Sequence, residues 1–336
     1  MSEIRYDRLY DNHVIIAPER LHHPDFACVI PDDPSRSECP FCEGNESMTP
    51  PEIFAVRPVN TFSNERGWQT RVVPNLYKAV QIEAPYIHHF GLHEYWEGFG
   101  AHEVIIDTPQ HHTSMEEWDD TQIGLWLKTL KQRFGDLRRD TRIAHITLFK
   151  NEGISGGSTQ PHCHTQVIGL PLIPKREREQ FLREVEYYQS TAKGLMQSIL
   201  QHEEEAGDRI VDREGEFSAY CPYASAYPFE LIISSSQKIG QIDTLSEGHI
   251  EQLSKILYRI LKKLKRQLRI LHFNLSITTP PLQSLHEGMD IPVDEVHQFS
   301  IRIMPRIYTH GGFELTTGIL INPVAPEVAA KLLKEG

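Results

Sequence analysis

The chain has 336 residues, enough for one large domain or two of ordinary size. With 39% hydrophobic and 24% charged residues it has the composition of a soluble globular protein. A formal net charge of −12 excludes a general nucleic-acid binder, which needs a basic face, and leaves room only for a local basic pocket. No run of about 18 apolar residues exists, so no segment is expected to span a membrane. The start, Met1 to Asp7, lacks the apolar core of a signal peptide. The cysteines (Cys28, Cys39, Cys42, Cys163 and Cys221) form no disulfide framework, so a reducing cytoplasm is the expected compartment.

In chain order, strands are predicted at 13–17, 70–74 and 103–107, joined by Pro-rich and polar loops. A helix is predicted over 120–139, where Ile123, Leu125, Trp126, Leu130 and Phe134 recur at mixed three- and four-residue spacing. A strand at 143–149 leads into the glycine-rich run 153–158. Residues from Lys175 to about Asp212 are charged and helix-prone and read as a connector with a solvated face. The second half repeats the first in weaker form, with strands at 229–234, 273–277 and 299–304 and a helix over 249–270. The expected fold is α+β, with halves at 1–174 and 213–336 and a helical connector at 175–212, each half an antiparallel sheet with a packed helix.

Two motifs carry chemistry. In His162-Cys163-His164-Thr165-Gln166 the two imidazoles share a face if the segment is extended, since side chains alternate along a strand. The preceding loop, with Gly157 and Ser158, offers backbone amides that can hold phosphate oxygens. A neutral imidazole there is a competent nucleophile towards phosphorus, which suits covalent nucleotidyl transfer. Cys39-Pro40-Phe41-Cys42 has the spacing that closes on one zinc ion, with His111 or His112 and His162 as candidates to complete a tetrahedral set. A redox pair is the rival, but no strand-to-helix turn of thioredoxin type is predicted there. Asn75 and Asn151 stand at predicted strand ends, where amides bind ribose, a base edge or phosphate as readily as they shape turns. Arg20 is a candidate phosphate clamp.

Taken together, Tyr6-Asp7 to Arg20, Cys39 to Glu46, Arg71 to Asn75, His102 to Ile106, Asn151 to Gln166 and Pro222 to Glu230 occur in the order of a known family. The chain resembles the galactose-1-phosphate uridylyltransferase family of the histidine-triad superfamily over nearly its whole length. Gly311 to Gly318 with Ile321 to Val324 looks nearest the plant-type branch, which includes ADP-glucose phosphorylase.

The resemblance implies two histidine-triad-like halves, a homodimer, and a ping-pong reaction through a nucleotidyl-histidine. It makes His164 the nucleophile and Gln166 the partner of the phosphoryl oxygens. It adds His111 (with His112 as fallback) and His162 to Cys39 and Cys42 on one structural zinc. Arg20, Asn75, Asn151 and the Thr159 hydroxyl match nucleotide and phosphate contacts. The implied partners are a nucleotide sugar and either a sugar 1-phosphate or phosphate. The family default is UDP-glucose with hexose 1-phosphate, and ADP-glucose with phosphate is the alternative. A triad hydrolase is disfavoured because Gln166 stands where the hydrolases carry a third, titratable histidine. A zinc-stabilised binding protein without turnover would leave His164 idle.

Three departures from the family pattern stand out. Cys163 replaces the proline between the histidines. Thr278, Gln298 and Ser300 occupy the positions of a second metal site, with His297 one residue out of phase, so no second metal is expected. Thr317-Gly318 takes the place of the Tyr-Glu pair that grips the hexose.

Overall fold

The computed structural model describes residues 3–16, 39–93, 95–112, 114–285 and 292–335. Arg20 and Cys28 lie outside the described residues. The strands up to the connector are β1 (Glu3–Asp7), β2 (Asn12–Ile16), β3 (Phe54–Val56), β4 (Thr70–Pro74), β5 (His88–His89), β6 (Tyr95–Trp96), β7 (Ala101–Ile106), β8 (His145–Glu152) and β9 (His164–Leu170). After it come β10 (Ile210–Glu214), β11 (Phe217–Tyr220), β12 (Leu231–Ser235), β13 (Phe273–Ile277), β14 (Ser300–Pro305) and β15 (Leu320–Asn322). The helices are α1 (Asp120–Leu137), α2 (Lys175–Thr191), α3 (Leu195–Ala206), α4 (Glu247–Leu268), α5 (Val293–Val296), α6 (Gly312–Thr317) and α7 (Pro326–Glu335). The segment read as a connector holds α2, α3 and the first residues of β10.

The two halves do not keep separate sheets. One ten-stranded sheet runs β3-β4-β7-β9-β8-β13-β14-β12-β11-β10, antiparallel at every junction. Numbered within its own half, each set of five strands has the order 1-2-3-5-4. The halves join where β8 pairs with β13, Asn151 opposite Asn274. In each half a long helix lies between the third and fourth strands in sequence, α1 in the first and α4 in the second.

The helices form where apolar residues recur at helical spacing and a capping side chain starts the first turn. Asp119 accepts from the Gln122 amide at 2.7 Å to open α1, and Ser246 accepts from the His249 amide at 3.1 Å to open α4. Ile123, Trp126, Leu127, Leu130 and Phe134 of α1 meet Ile250, Leu253, Leu257, Ile260 and Leu264 of α4 in one core over one face of the sheet. Each such side chain contributes about 1.5–3 kcal/mol on burial. On the opposite face Val73, Val104 and Ile106 pack with Trp68 in the first half, and Tyr220 and Ile232 pack with Leu195 and Leu200 of α3 in the second. No helix among the described residues is long and apolar enough to cross a membrane.

Candidate active site and metal centre

Cys39, Cys42, His111 and His162 come together with their donor atoms all within 4.8 Å of one another, the one such His/Cys/Asp/Glu group found among the described residues. His111 Nδ1 is 3.1 Å from Cys42 Sγ, and His162 Nδ1 is 3.5 Å from Cys39 Sγ. His162 Nε2 faces the Thr108 carbonyl at 2.8 Å. A carbonyl only accepts, so Nε2 carries the proton and the Nδ1 lone pair faces the thiols, the arrangement of a metal ligand held by its outer hydrogen bond. The structure decides between the neighbouring histidines. The His112 ring turns away, with Nδ1 2.9 Å from Glu117 and Nε2 2.8 Å from Gln110.

β9 begins at His164, so His162 sits in the approach to the strand rather than within it. The alternation nevertheless holds through Cys163, which turns into the helix-side core while the flanking imidazoles turn the other way. His164 Nδ1 lies 2.9 Å from the His162 carbonyl and must donate to it, which leaves the Nε2 lone pair as the available one. Burial lowers the His164 pKa to about 4, so the ring is neutral at pH 7. Phe41, inside the Cys-x-x-Cys turn, packs edge-on against His164 at 5.5 Å between ring centroids, coupling the Cys/His cluster to that imidazole.

Beneath His164, on the helix side, lies a buried polar chain that the sequence reading missed. Lys150 Nζ donates to Asp107 at 2.9 Å and to the backbone carbonyl of His164 at 3.2 Å. Thr165 Oγ1 donates to Asp107 at 3.1 Å and accepts from Trp126 Nε1 at 2.9 Å. Burial opposes the Lys150 charge, but Asp107 outweighs it and the pKa is raised. This chain anchors the backbone of the His164–Thr165 pair to α1, to β8 and to Asp107, the residue after β7.

Gln166 stands opposite Val104 on one side and Phe149 on the other. Its Oε1 is 2.9 Å from His102 Nε2. The Ala79 amide donates to His102 Nδ1 at 3.0 Å, so Nε2 bears the proton and donates to Gln166. The Gln166 carbonyl is thereby pinned and its NH2 group is available to an anion. Asn75 Nδ2 lies 3.0 Å from the same His102 nitrogen, placing Asn75 beside this pair. In the sequence His102 stands out only as the first residue of the His102 to Ile106 stretch. Nothing in its spacing reveals its link to Gln166, which comes from pairing 64 residues apart.

Asn151 flanks His164 from β8, and its Oδ1 accepts from Asn274 Nδ2 at 2.9 Å. Asn274 also donates to the Gly156 carbonyl at 2.6 Å, so the second half of the chain braces the glycine loop. A side chain at Gly156 would meet the Phe273 carbonyl at 2.6 Å, and Gly153 has φ 69°. The expectation of free loop amides needs correction. The Gly156 amide donates to Gly153 at 3.0 Å, that of Gly157 to Ile154 at 2.8 Å and that of Ser158 to Gly153 at 3.1 Å, because the loop closes as a tight 3-10 turn on itself. The Ser158 hydroxyl is likewise turned to the Gln160 carbonyl at 2.8 Å, while Thr159 is exposed.

At the positions of the family's second metal, Gln298 donates to the carbonyls of Ser235 and Gln237, and Thr278 and Ser300 bond each other. His297 precedes β14, so strand alternation does not govern it. It turns inward, its Nδ1 3.0 Å from Glu184.

Residues 1–174 match the N-terminal domain of galactose-1-phosphate uridyl transferase. The chain belongs to the galactose-1-phosphate uridyl transferase family. Members of this family are nucleotidyltransferases, and the chain is an enzyme of that family. The ADP-glucose phosphorylase of Arabidopsis thaliana is 31% identical over 99% of this chain and 92% of its own length. The galactose-1-phosphate uridylyltransferase of Thermotoga maritima is 24% identical over 100% of this chain and 98% of its own. The crystal structure of an Arabidopsis thaliana ADP-glucose phosphorylase with bound ADP-glucose superposes with a TM-score of 0.83 at 28% identity, covering 100% of this chain and 99% of that one.

Proposed function

We propose that this protein transfers an adenylyl group from ADP-glucose to inorganic phosphate through a covalent intermediate on His164. The observation that carries the reading is the neutral His164 ring, its Nδ1–H locked on the His162 carbonyl and its Nε2 lone pair available beside Gln166. Uridylyl transfer from UDP-glucose to a hexose 1-phosphate is the second reading. The family default gives way because the ADP-glucose phosphorylase relative matches at 31% identity and the uridylyltransferase of Thermotoga maritima at 24%. The Thr317-Gly318 pair supports the same order. Its hydroxyl is turned back to the Phe313 carbonyl at 2.7 Å rather than offered to a hexose.

In the first half-reaction Nε2 of His164 attacks the α-phosphorus of ADP-glucose. The P–N bond forms as the bond to the bridging oxygen breaks, and glucose 1-phosphate leaves with that electron pair. The NH2 group of Gln166 would stabilise the charge that gathers on the non-bridging oxygens. In the second, an oxygen of inorganic phosphate attacks the same phosphorus, the P–N bond breaks, and ADP departs with His164 restored. Gln166 cannot titrate, so it offers water no general base and the intermediate waits for phosphate. Asn75 and Asn151 would hold the ribose and phosphate, with Arg20 and Thr159 on the phosphates. Gly157 and Ser158 would shape the loop, since their amides are spent within it.

The two-thiolate, two-imidazole set of Cys39, Cys42, His111 and His162 suits zinc. Bound there, zinc would fix the turn that carries Phe41 and the approach to His164. A homodimer and a cytoplasmic site of action belong to the same proposal. The test is intact-protein mass spectrometry after brief exposure to ADP-glucose or UDP-glucose without acceptor. An AMP adduct discharged by phosphate is the expected result. A UMP adduct discharged by galactose 1-phosphate would establish the second reading, and no adduct with either donor would overturn both.

A further inference from the structure

The duplication lets each residue of the site be matched to a counterpart in the other half. Gln166 on β9 pairs with Val104 on β7, which pairs with Val73 on β4. Arg302 on β14 pairs with Ile232 on β12, which pairs with Tyr220 on β11. Residues directly opposite share a face. Phe149 and Ser276 complete the row between them, so Gln166 and Arg302 lie on the same face of the one sheet. Three strand spacings separate them, about 14 Å. Two residues back along the chain from Val104 and Ile232 stand His102, on β7, and Glu230, just before β12. His102 bonds Gln166 at 2.9 Å and Glu230 bonds Arg302 at 2.6 Å. Two residues beyond Val73 stands Asn75, and two beyond Tyr220 stands Pro222.

What fills these positions differs. Ser300 takes the place of His164, so the second half has no nucleophilic nitrogen there. The Arg302 guanidinium is committed to Glu230, and the Tyr10 ring covers it at 4.2 Å, closing the spot where Gln166 faces an anion. Beside this plug the same face opens into a cavity of about 650 Å³ over β11 and β12, between α3 and the β1–β2 turn. Pro222 and Tyr223, the counterparts of Asn75 and its neighbour, line it. Its other walls include Tyr187, Tyr220, Leu195 and Ile199. Among the charged groups at its edge Arg209 pairs with Glu203 at 2.8 Å and with Glu327 at 2.9 Å, and Asp7, Arg8 and His202 also line it. The size is that of a small-molecule site, and half-buried Tyr187 and exposed Tyr223 bring to it aromatic rings on which a planar group can stack.

We propose that this cavity is a second, non-catalytic site for a nucleoside, held by its base and ribose without need of a phosphate. The proposal rests on the reading of the His164 site as a nucleotide site, because that reading puts the nucleoside over the strands whose counterparts are β11 and β12. The duplicated half has kept the nucleoside position and filled the phosphate position with the Glu230–Arg302–Tyr10 cluster.

The test is equilibrium dialysis of labelled adenosine and uridine against the full chain, repeated with Ser198→Trp and Ala206→Trp. Both residues line the cavity from α3, and neither is buried. The expected result is one more nucleoside bound per chain in the native protein than in either variant, with adduct formation by His164 unchanged. Nucleoside binding that is the same in all three proteins overturns the proposal, as does no binding to the native chain. Two independent substitutions guard against a single misfolded variant. The adduct experiment fails separately: its failure sinks the transfer reaction, whereas unchanged dialysis sinks the cavity site.

Discussion

The two halves of this chain have one topology and use it for opposite ends. In the first, the contact between the third and fifth strands joins two neutral groups, His102 and Gln166, and leaves an NH2 group available beside a histidine. In the second, the same contact is a buried ion pair between Glu230 and Arg302, and Glu230 also accepts the amides of Ala226 and Tyr227 at 2.6 and 3.1 Å. A neutral pair at a half-open site costs little to keep unsaturated, and can meet a substrate. A buried charge must be fully satisfied, and so has nothing left to offer.

That contrast orders the expected effects of substitution. His164→Gly should abolish the mass adduct and lower turnover by on the order of 10^4-fold or more, whereas Ser300→Ala at the matching position should leave adduct formation as it is. Equal losses in the two variants, measured by intact mass and initial rate, would erase the functional distinction between the halves. Cys42→Ser should weaken zinc binding by the Cys39, Cys42, His111 and His162 cluster and lower the stability of the zinc-loaded protein by about 4 kcal/mol, read by elemental analysis and denaturant unfolding. Retention of both metal and stability would remove the cluster from the account. Arg302→Met should cost about 3 kcal/mol by stranding the Glu230 carboxylate, with the adduct still forming at the native rate. His102→Phe should do the reverse. Stability should fall by about 1 kcal/mol or less, and adduct formation should slow about 10²-fold as Gln166 loses its fixed amide. His102→Gln, which keeps a donor, should recover part of that rate, and no recovery would reduce His102 to a packing residue. Asn274→Ala should have the smallest effect, about 1 kcal/mol of stability, as the glycine loop loses its tie to the second half.

Much of the local structure was legible from pattern. The β4 and β13 boundaries coincide with the predicted strands, and α1 and α4 fall within two residues of theirs. Alternating burial marks β13, a continuous buried β-prone run marks β4, and period-3.6 burial marks the helices. The short strands β3, β10 and β11 left no such imprint. Each lies at or next to an edge of the sheet, where pairing with neighbouring strands decides the conformation more than the residues do. The Cys/His cluster was half legible: Cys39 and Cys42 announce themselves by spacing, but His111 and His112 differ only in which ring the turn after β7 aims at the thiols.

Residue order by itself determined the two long helices, the central strands, the duplication, the Cys-x-x-Cys turn and the paired imidazoles of the 162–164 stretch, since each is written in neighbours a few positions apart. The tertiary structure alone decided that the halves share one continuous sheet, that the loop amides of Gly156, Gly157 and Ser158 close on the loop itself, and that His102 holds Gln166. It also decided that Lys150 and Asp107 underpin His164, and that Tyr10 caps Arg302. These depend on strand register and on packing between residues far apart in the chain, where one step of register moves a side chain to the opposite face.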